Sequence, residues 1–166
     1  MPTIAPSPLP AGALLEAYTQ SGAYTDRDVS HAQFVEAFYT TAVFKLERWV
    51  LARFAGRPST DEHAQELASG ASSTFAAWSV EQRTPNQVLL AAGRTRSWLM
   101  TVSPNPSGSA GASTRLYFGS AVVPRRGSTR LGWQFTALLG FHKVYSRVLL
   151  WAAQSRLAKF SAAGAA

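Results

Sequence analysis

The chain contains no cysteine, which excludes disulfides, thiolate nucleophiles and Cys-ligated zinc. It has no run of about 18 uncharged apolar residues, so no membrane span or stable insertion is expected. The motifs that announce common chemistries are missing as well. There is no GxGxxG ahead of a helix, no GxxxxGK[ST], no HExxH and no GxSxG. Histidine is scarce, and His31, His63 and His142 do not share a metal-ligand spacing. No catalytic residue, metal or cofactor is therefore assigned. The first residues, MPTIAPSPLPAG, carry no base before their apolar run and are crowded with proline, unlike a signal peptide. Together with the missing cysteine, this reads as a cytoplasmic protein.

Acidic residues are also few. Nine Asp and Glu stand against 16 Lys and Arg, leaving +7. Such an excess attracts nucleic acid, an anionic membrane surface or an acidic ligand. The bases, however, cluster no further than Arg125-Arg126 and Arg94-x-Arg96, which favours a charge dispersed for solubility. Aromatics fall on apolar faces while bases fall in turns and at helix ends. That argues against an interleaved nucleic-acid platform.

What remains is an ordinary globular composition, 46% apolar and 11% aromatic over 166 residues, enough for one core. A single domain is expected over 10–160, with a loose N-terminal arm at 1–9 and a flexible tail at 161–166. The dominant stretch is FTALLGFHKVYSRVLLWAAQSRLAKF, residues 135–160. On a helical wheel Leu138, Phe141, Val144, Tyr145, Val148, Leu149 and Ala152 share one broad arc. Residues 135–158 should form one helix whose Phe141–Tyr145–Val148–Ala152 face lies on a sheet.

Upstream, Pro10 is positioned to open a short helix stopped by Gly22, followed by an edge strand over Tyr24–Val29. Ser30-His31-Ala32-Gln33 is a capping box. It starts an aromatic helical region that should bend at Thr40-Thr41 and end at Gly56-Arg57-Pro58. Ser59-Thr60-Asp61-Glu62 starts a third helix, and Gly70 closes it. From Thr74 the period becomes two, giving strands over 74–84, 87–92, 94–103 and 114–123, with a mobile loop at 104–113 and a basic turn at 124–127. Helices on one side of such a meander make an α+β domain. A curved antiparallel sheet wrapped around a long C-terminal helix is the expected fold.

Several of these segments carry a family likeness: YTDRDVS, HAQFVEAFYTTAVFKLERW, SWLMTVS, TRLYFGSAVV and FHKVYSRVLLWAA. In that order they resemble the helix-grip architecture of the START and Bet v1-like superfamily. FYTTAVFKLERW, GRTRSWLM and TRLYFGSAVVP also look like pieces of an uncharacterised bacterial family of small proteins. The resemblance implies an apolar small molecule held between sheet and helix, and it transfers no catalytic residue.

On the residues themselves, Arg94, Arg96, Trp98, Met100 and Val102 share one strand face. If that face is concave, Arg96 clamps an acidic head group while Trp98, Met100 and Phe141 receive an apolar body. Alternatively Arg96 reaches water along its stem or pairs with Glu81, two strands away. His142 sits at the margin of the apolar arc, either reaching into the cavity or bonded to a backbone carbonyl. Tyr117 and Tyr145 bring hydroxyls to the sheet–helix seam, where core tyrosines ordinarily anchor to carbonyls. The expected ligand set is thus Arg96, Trp98, Met100, Tyr117, Phe141, His142 and Tyr145, for an apolar or amphipathic and possibly acidic small molecule. The rival readings are a cyclase or dehydratase using His142 with a tyrosine, and a basic module for an acidic partner.

Overall fold

The structure, a computed structural model, describes residues 18–26, 28–56, 58–103, 113–122 and 133–163. Side chains at 18–21, 47, 50–52, 54–55, 122, 133–143 and 160–163 are outside that description. The expected arm at 1–9, the loop at 104–112 and the turn at 124–127 lie outside it too. So do residues 10–17 of the expected first helix and the last three residues of the tail.

The elements run β1 (Tyr18–Thr25), α1 (His31–Tyr39), α2 (Ala42–Ala55), α3 (Asp61–Ser69), β2 (Thr74–Phe75), β3 (Trp78–Thr84), β4 (Gln87–Ala92), β5 (Thr95–Val102), β6 (Thr114–Val122) and α4 (Trp133–Ala163). The domain is α+β. Its six strands form one curved, unclosed antiparallel sheet in the order β1-β6-β5-β4-β3-β2. Residues 18–22 belong to β1 rather than to a helix. Tyr18 pairs with Ala121 and Thr25 with Thr114, so the ladder on β6 takes the whole segment and the strand ends before Val29.

Caps place the helices. The Ser30 hydroxyl accepts from Gln33 N, and the Gln33 side chain accepts from Ser30 N at 3.0 Å. Two orphan amides are thereby satisfied at once. The break between α1 and α2 is made by threonine hydroxyls. Thr40 Oγ1 donates to Glu36 O at 2.7 Å, and Thr41 Oγ1 donates to Phe38 O while accepting from Phe44 N. The first two bonds close α1, and the third caps α2. Thr60 repeats the box with His63, whose Nδ1 accepts from Thr60 N. Gly70, at φ 86°, ends α3 in the left-handed region that glycine tolerates.

The expected single strand over 74–84 is two strands. A tight turn at Ala76-Ala77, with Ala76 at φ 53°, folds β2 back so that Phe75 pairs with Trp78. β3 carries a bulge between Val80 and Gln82, making Glu81 the extra residue.

Helices α1, α3 and α4 share one face of the sheet, with α1 between the other two. Rings fill the space beneath them. Phe38 lies 4.7 Å from Phe118, and Tyr39 lies 4.7 Å from Phe44 and 5.1 Å from Phe75. Val88, Leu90, Leu99 and Leu116 supply the sheet side of this core, and Leu149, Leu150, Ala153 and Leu157 supply the α4 side.

Continuity of α4 agrees with the sequence, but its buried side does not. Val148, expected on the sheet, is exposed at 40%, and Val144 of the same apolar arc at 58%. The row that packs is Ser146, Leu149, Leu150, Ala153 and Leu157, with Tyr145 half-buried beside it.

Candidate functional site

β5 alternates as the sequence requires, yet its two faces are assigned the other way round. Ser97, Leu99 and Thr101 look toward the helices, opposite Ser120, Phe118 and Leu116 of β6. Arg96, Trp98 and Met100 share the far face with Ala121, Gly119 and Tyr117. There Leu89, Trp98 and Met100 form a second cluster, with Val102 and Tyr117 packed against it. The expected concave face for Arg96 is thus the face turned away from α4, since successive side chains on a strand point to opposite sides.

On this outer face Arg96 and Trp98 already have partners. Arg96 Nε stands 2.8 Å from Glu81 Oε2. This is an ion pair rather than an aligned hydrogen bond, because no acceptor lies along that N–H. Its Nη1 donates to the carbonyls of Gly93 and Thr95 at 2.9 and 3.2 Å. Trp98 Nε1 donates to Gln87 Oε1 at 3.0 Å. The bulge at Glu81 gives the pair a structural origin, since an extra residue re-aims the strand's side chains. Of the two alternatives for Arg96, pairing with Glu81 is the one observed.

The remaining expected residues are dispersed. Tyr145 packs against the main core on the opposite side of the sheet. Phe141 and His142 belong to α4, but their side chains lie outside the described residues. His31 is buried, with Nε2 3.3 Å from Leu99 O, and His63 is part of a helix cap. Among the described residues no group of three His, Asp or Glu side chains is placed to hold a metal.

A groove of about 510 Å³ opens at the other end of the sheet–helix seam. Three segments converge there: the end of β1 and the turn after it (Tyr24, Thr25, Asp26, Val29), Ser113 ahead of β6, and Gln154, Leu157 and Ala158 of α4. A polar relay holds this corner together. Thr114 Oγ1 accepts from Val29 N at 3.0 Å and meets Ser103 Oγ at 3.3 Å, while Ser103 Oγ donates to Asp28 Oδ1. Across the seam Gln154 Nε2 donates to Tyr24 O at 2.5 Å. Arg115 stacks over the Tyr24 ring, 4.9 Å from its centroid.

The groove has an apolar floor, Val29 and Leu157 each 5% exposed, and a rim of hydroxyls, an amide and one carboxylate. Sequence reasoning missed it because its residues follow no period and belong to three distant segments. A second hollow of about 550 Å³ between α1 and α3 is shallower. Its side chains serve one another, Gln65 Nε2 donating to Glu36 Oε1 at 3.0 Å.

Comparison with protein-family models, with curated proteins and with solved structures finds no match. The site therefore has to be read from its own geometry.

Proposed function

We propose that this protein binds an apolar or amphipathic small molecule in the groove between β1, the start of β6 and the last turns of α4. The observation that carries the reading is the groove itself, about 510 Å³ with a buried Val29–Leu157 floor and a polar rim. That size lies within the range of small-molecule sites, which are largely apolar with a few orienting polar groups. The element order supports it through the helix-grip resemblance, in which the ligand sits between the sheet and the C-terminal helix. Arg96 faces away and is paired with Glu81, and the rim holds hydroxyls, an amide and a carboxylate. A neutral polar head group suits such a rim better than an anionic one.

Native mass spectrometry of the freshly purified chain tests this directly, followed by titration with neutral and acidic amphiphiles of equal chain length. A co-purifying molecule, or saturable binding that prefers the neutral series, is expected. Ala158 is exposed on the groove wall, so Ala158→Phe should fill the space and weaken binding by about tenfold or more, with the thermal midpoint unchanged. Absence of any saturable ligand, or undiminished binding by A158F, refutes the reading.

A further inference from the structure

Helix α4 is apolar on two sides, and only one of them meets the sheet. Val144, Val148 and Trp151 succeed each other at one-turn intervals and are exposed at 58%, 40% and 67%. Side chains spaced i, i+4 and i+7 lie in one stripe along a helix. Arg147, also exposed, stands one turn from both Val144 and Trp151, and exposed Lys159 lies two turns beyond Trp151. The 31 residues of α4 contain Lys143, Arg147, Arg156 and Lys159 and not one Asp or Glu. An apolar stripe containing tryptophan, edged only by positive charge, is the composition of a helix lying in a lipid headgroup region.

We infer that this outward side of α4, Val144, Val148 and Trp151 with Arg147 and Lys159, docks the protein on an anionic lipid surface. No helix among the described residues is long and apolar enough to cross a bilayer, so the contact is peripheral. Charge complementarity selects the occupant, because acid-free α4 in a chain of net charge +7 is attracted to phosphate head groups. Size points the same way. Three side chains fall well short of the roughly 800 Å² that a stable protein interface takes from each partner. A membrane contact needs no such area, since each base near the surface adds to the apolar term. The stripe stands apart from the small-molecule groove, whose α4 residues Gln154, Leu157 and Ala158 lie C-terminal to Trp151.

Co-sedimentation of the full chain with extruded vesicles tests it, using phosphatidylcholine alone and phosphatidylcholine mixed with phosphatidylglycerol. Binding is expected only to the mixed vesicles, and to fade as salt is raised. Trp151→Ala should reduce the partition coefficient by about fivefold or more, and Arg147→Glu by about tenfold. Both residues are exposed, so thermal midpoints should stay at the wild-type value, and either variant suffices if the other folds poorly. No binding to mixed vesicles at low salt overturns the inference, as does binding that neither substitution weakens. Concentration-dependent dimers abolished by W151A, without vesicle binding, also overturn it and assign the stripe to a second copy of the chain.

Discussion

His31 is the first residue of α1, only 8% exposed, and its Nε2 faces the carbonyl of Leu99 at 3.3 Å. A carbonyl only accepts, so Nε2 carries a proton, and it is burial that keeps the ring otherwise neutral. Burial disfavours the charged imidazolium and lowers the pKa from 6.5 to about 4. The bond to Leu99 O opposes that shift in part, and the charge of Arg83 adds to it. The unfolded chain therefore takes up a proton near 6.5, the native state only near 4. Between these values the unfolded state binds more protons, so stability is complete above about pH 6.5 and is lost as pH falls toward 4. The drop corresponds to about 3 kcal/mol, a large share of the roughly 5–15 kcal/mol that holds a domain together. Urea unfolding of wild type and His31→Gln from pH 7.5 to 4 isolates the effect. Glutamine can donate to Leu99 O but does not titrate. Partial burial of Asp61 acts to raise its pKa, but Lys45 and Arg48 outweigh it and hold the group below the ordinary carboxylate value. Its titration therefore falls lower and is common to both proteins. Wild type should lose about 3 kcal/mol more than the variant across this window. Parallel pH profiles, or an NMR titration placing His31 near 6.5, would refute the argument.

Arg48 is the second point of leverage. Its guanidinium donates to Ser59 Oγ, Ser59 O and Asp61 Oδ1 at 3.0, 2.5 and 2.7 Å, above the ring of Phe75. Arg48→Lys cannot reproduce that fork and should cost about 2–3 kcal/mol in urea unfolding. Lys45→Ala removes only a solvent-screened partner of Asp61 and should cost under about 1 kcal/mol. Thr114, fully buried, accepts the amide of Val29. Thr114→Val keeps the shape but leaves that N–H unpaired, so a loss of about 1–3 kcal/mol in the same assay is expected.

Local signals in the sequence specify local structure well. Ser30 and Gln33, Thr40 and Thr41, and Gly70 each act within a few residues through a hydroxyl, an amide or a positive φ. Their caps and breaks are therefore readable one at a time. Periodicity found β4, β5 and β6 for the same reason. It could not say which face of β5 meets the helices, because both faces are apolar and the larger residues lie on the outer one. Phe34, Phe38, Tyr39 and Phe118 fill the inner side so fully that β5 presents Ser97 and Thr101 there, with Tyr39 Oη 3.4 Å from Ser97 Oγ. Ring volume supplied from one element thus dictates small residues on another, and no period within β5 records that.

The same indeterminacy governs α4, where it becomes informative. A helix with Leu149, Leu150, Ala153 and Leu157 on one side and Val144, Val148 and Trp151 on another has no single apolar arc. A wheel drawn around its largest residues then selects a compromise direction. Ser146, completely buried, is the residue such a wheel places worst, since its row is fixed by contact with β1, β6 and α1 rather than by hydropathy. The groove at the end of this helix is harder still to see in advance. Its closing bond, from Gln154 to the carbonyl of Tyr24, joins residues 130 apart in sequence, and neither has a neighbour that announces the other. Such a site exists only once β1 has paired with β6 and α4 has chosen its buried side. The two outward properties of the molecule, the groove and the apolar stripe, are therefore consequences of one packing decision. Turning α4 by about half a revolution, the angle that separates Val144 from Ala153 at about 100° per residue, would bury the stripe and dismantle the groove together.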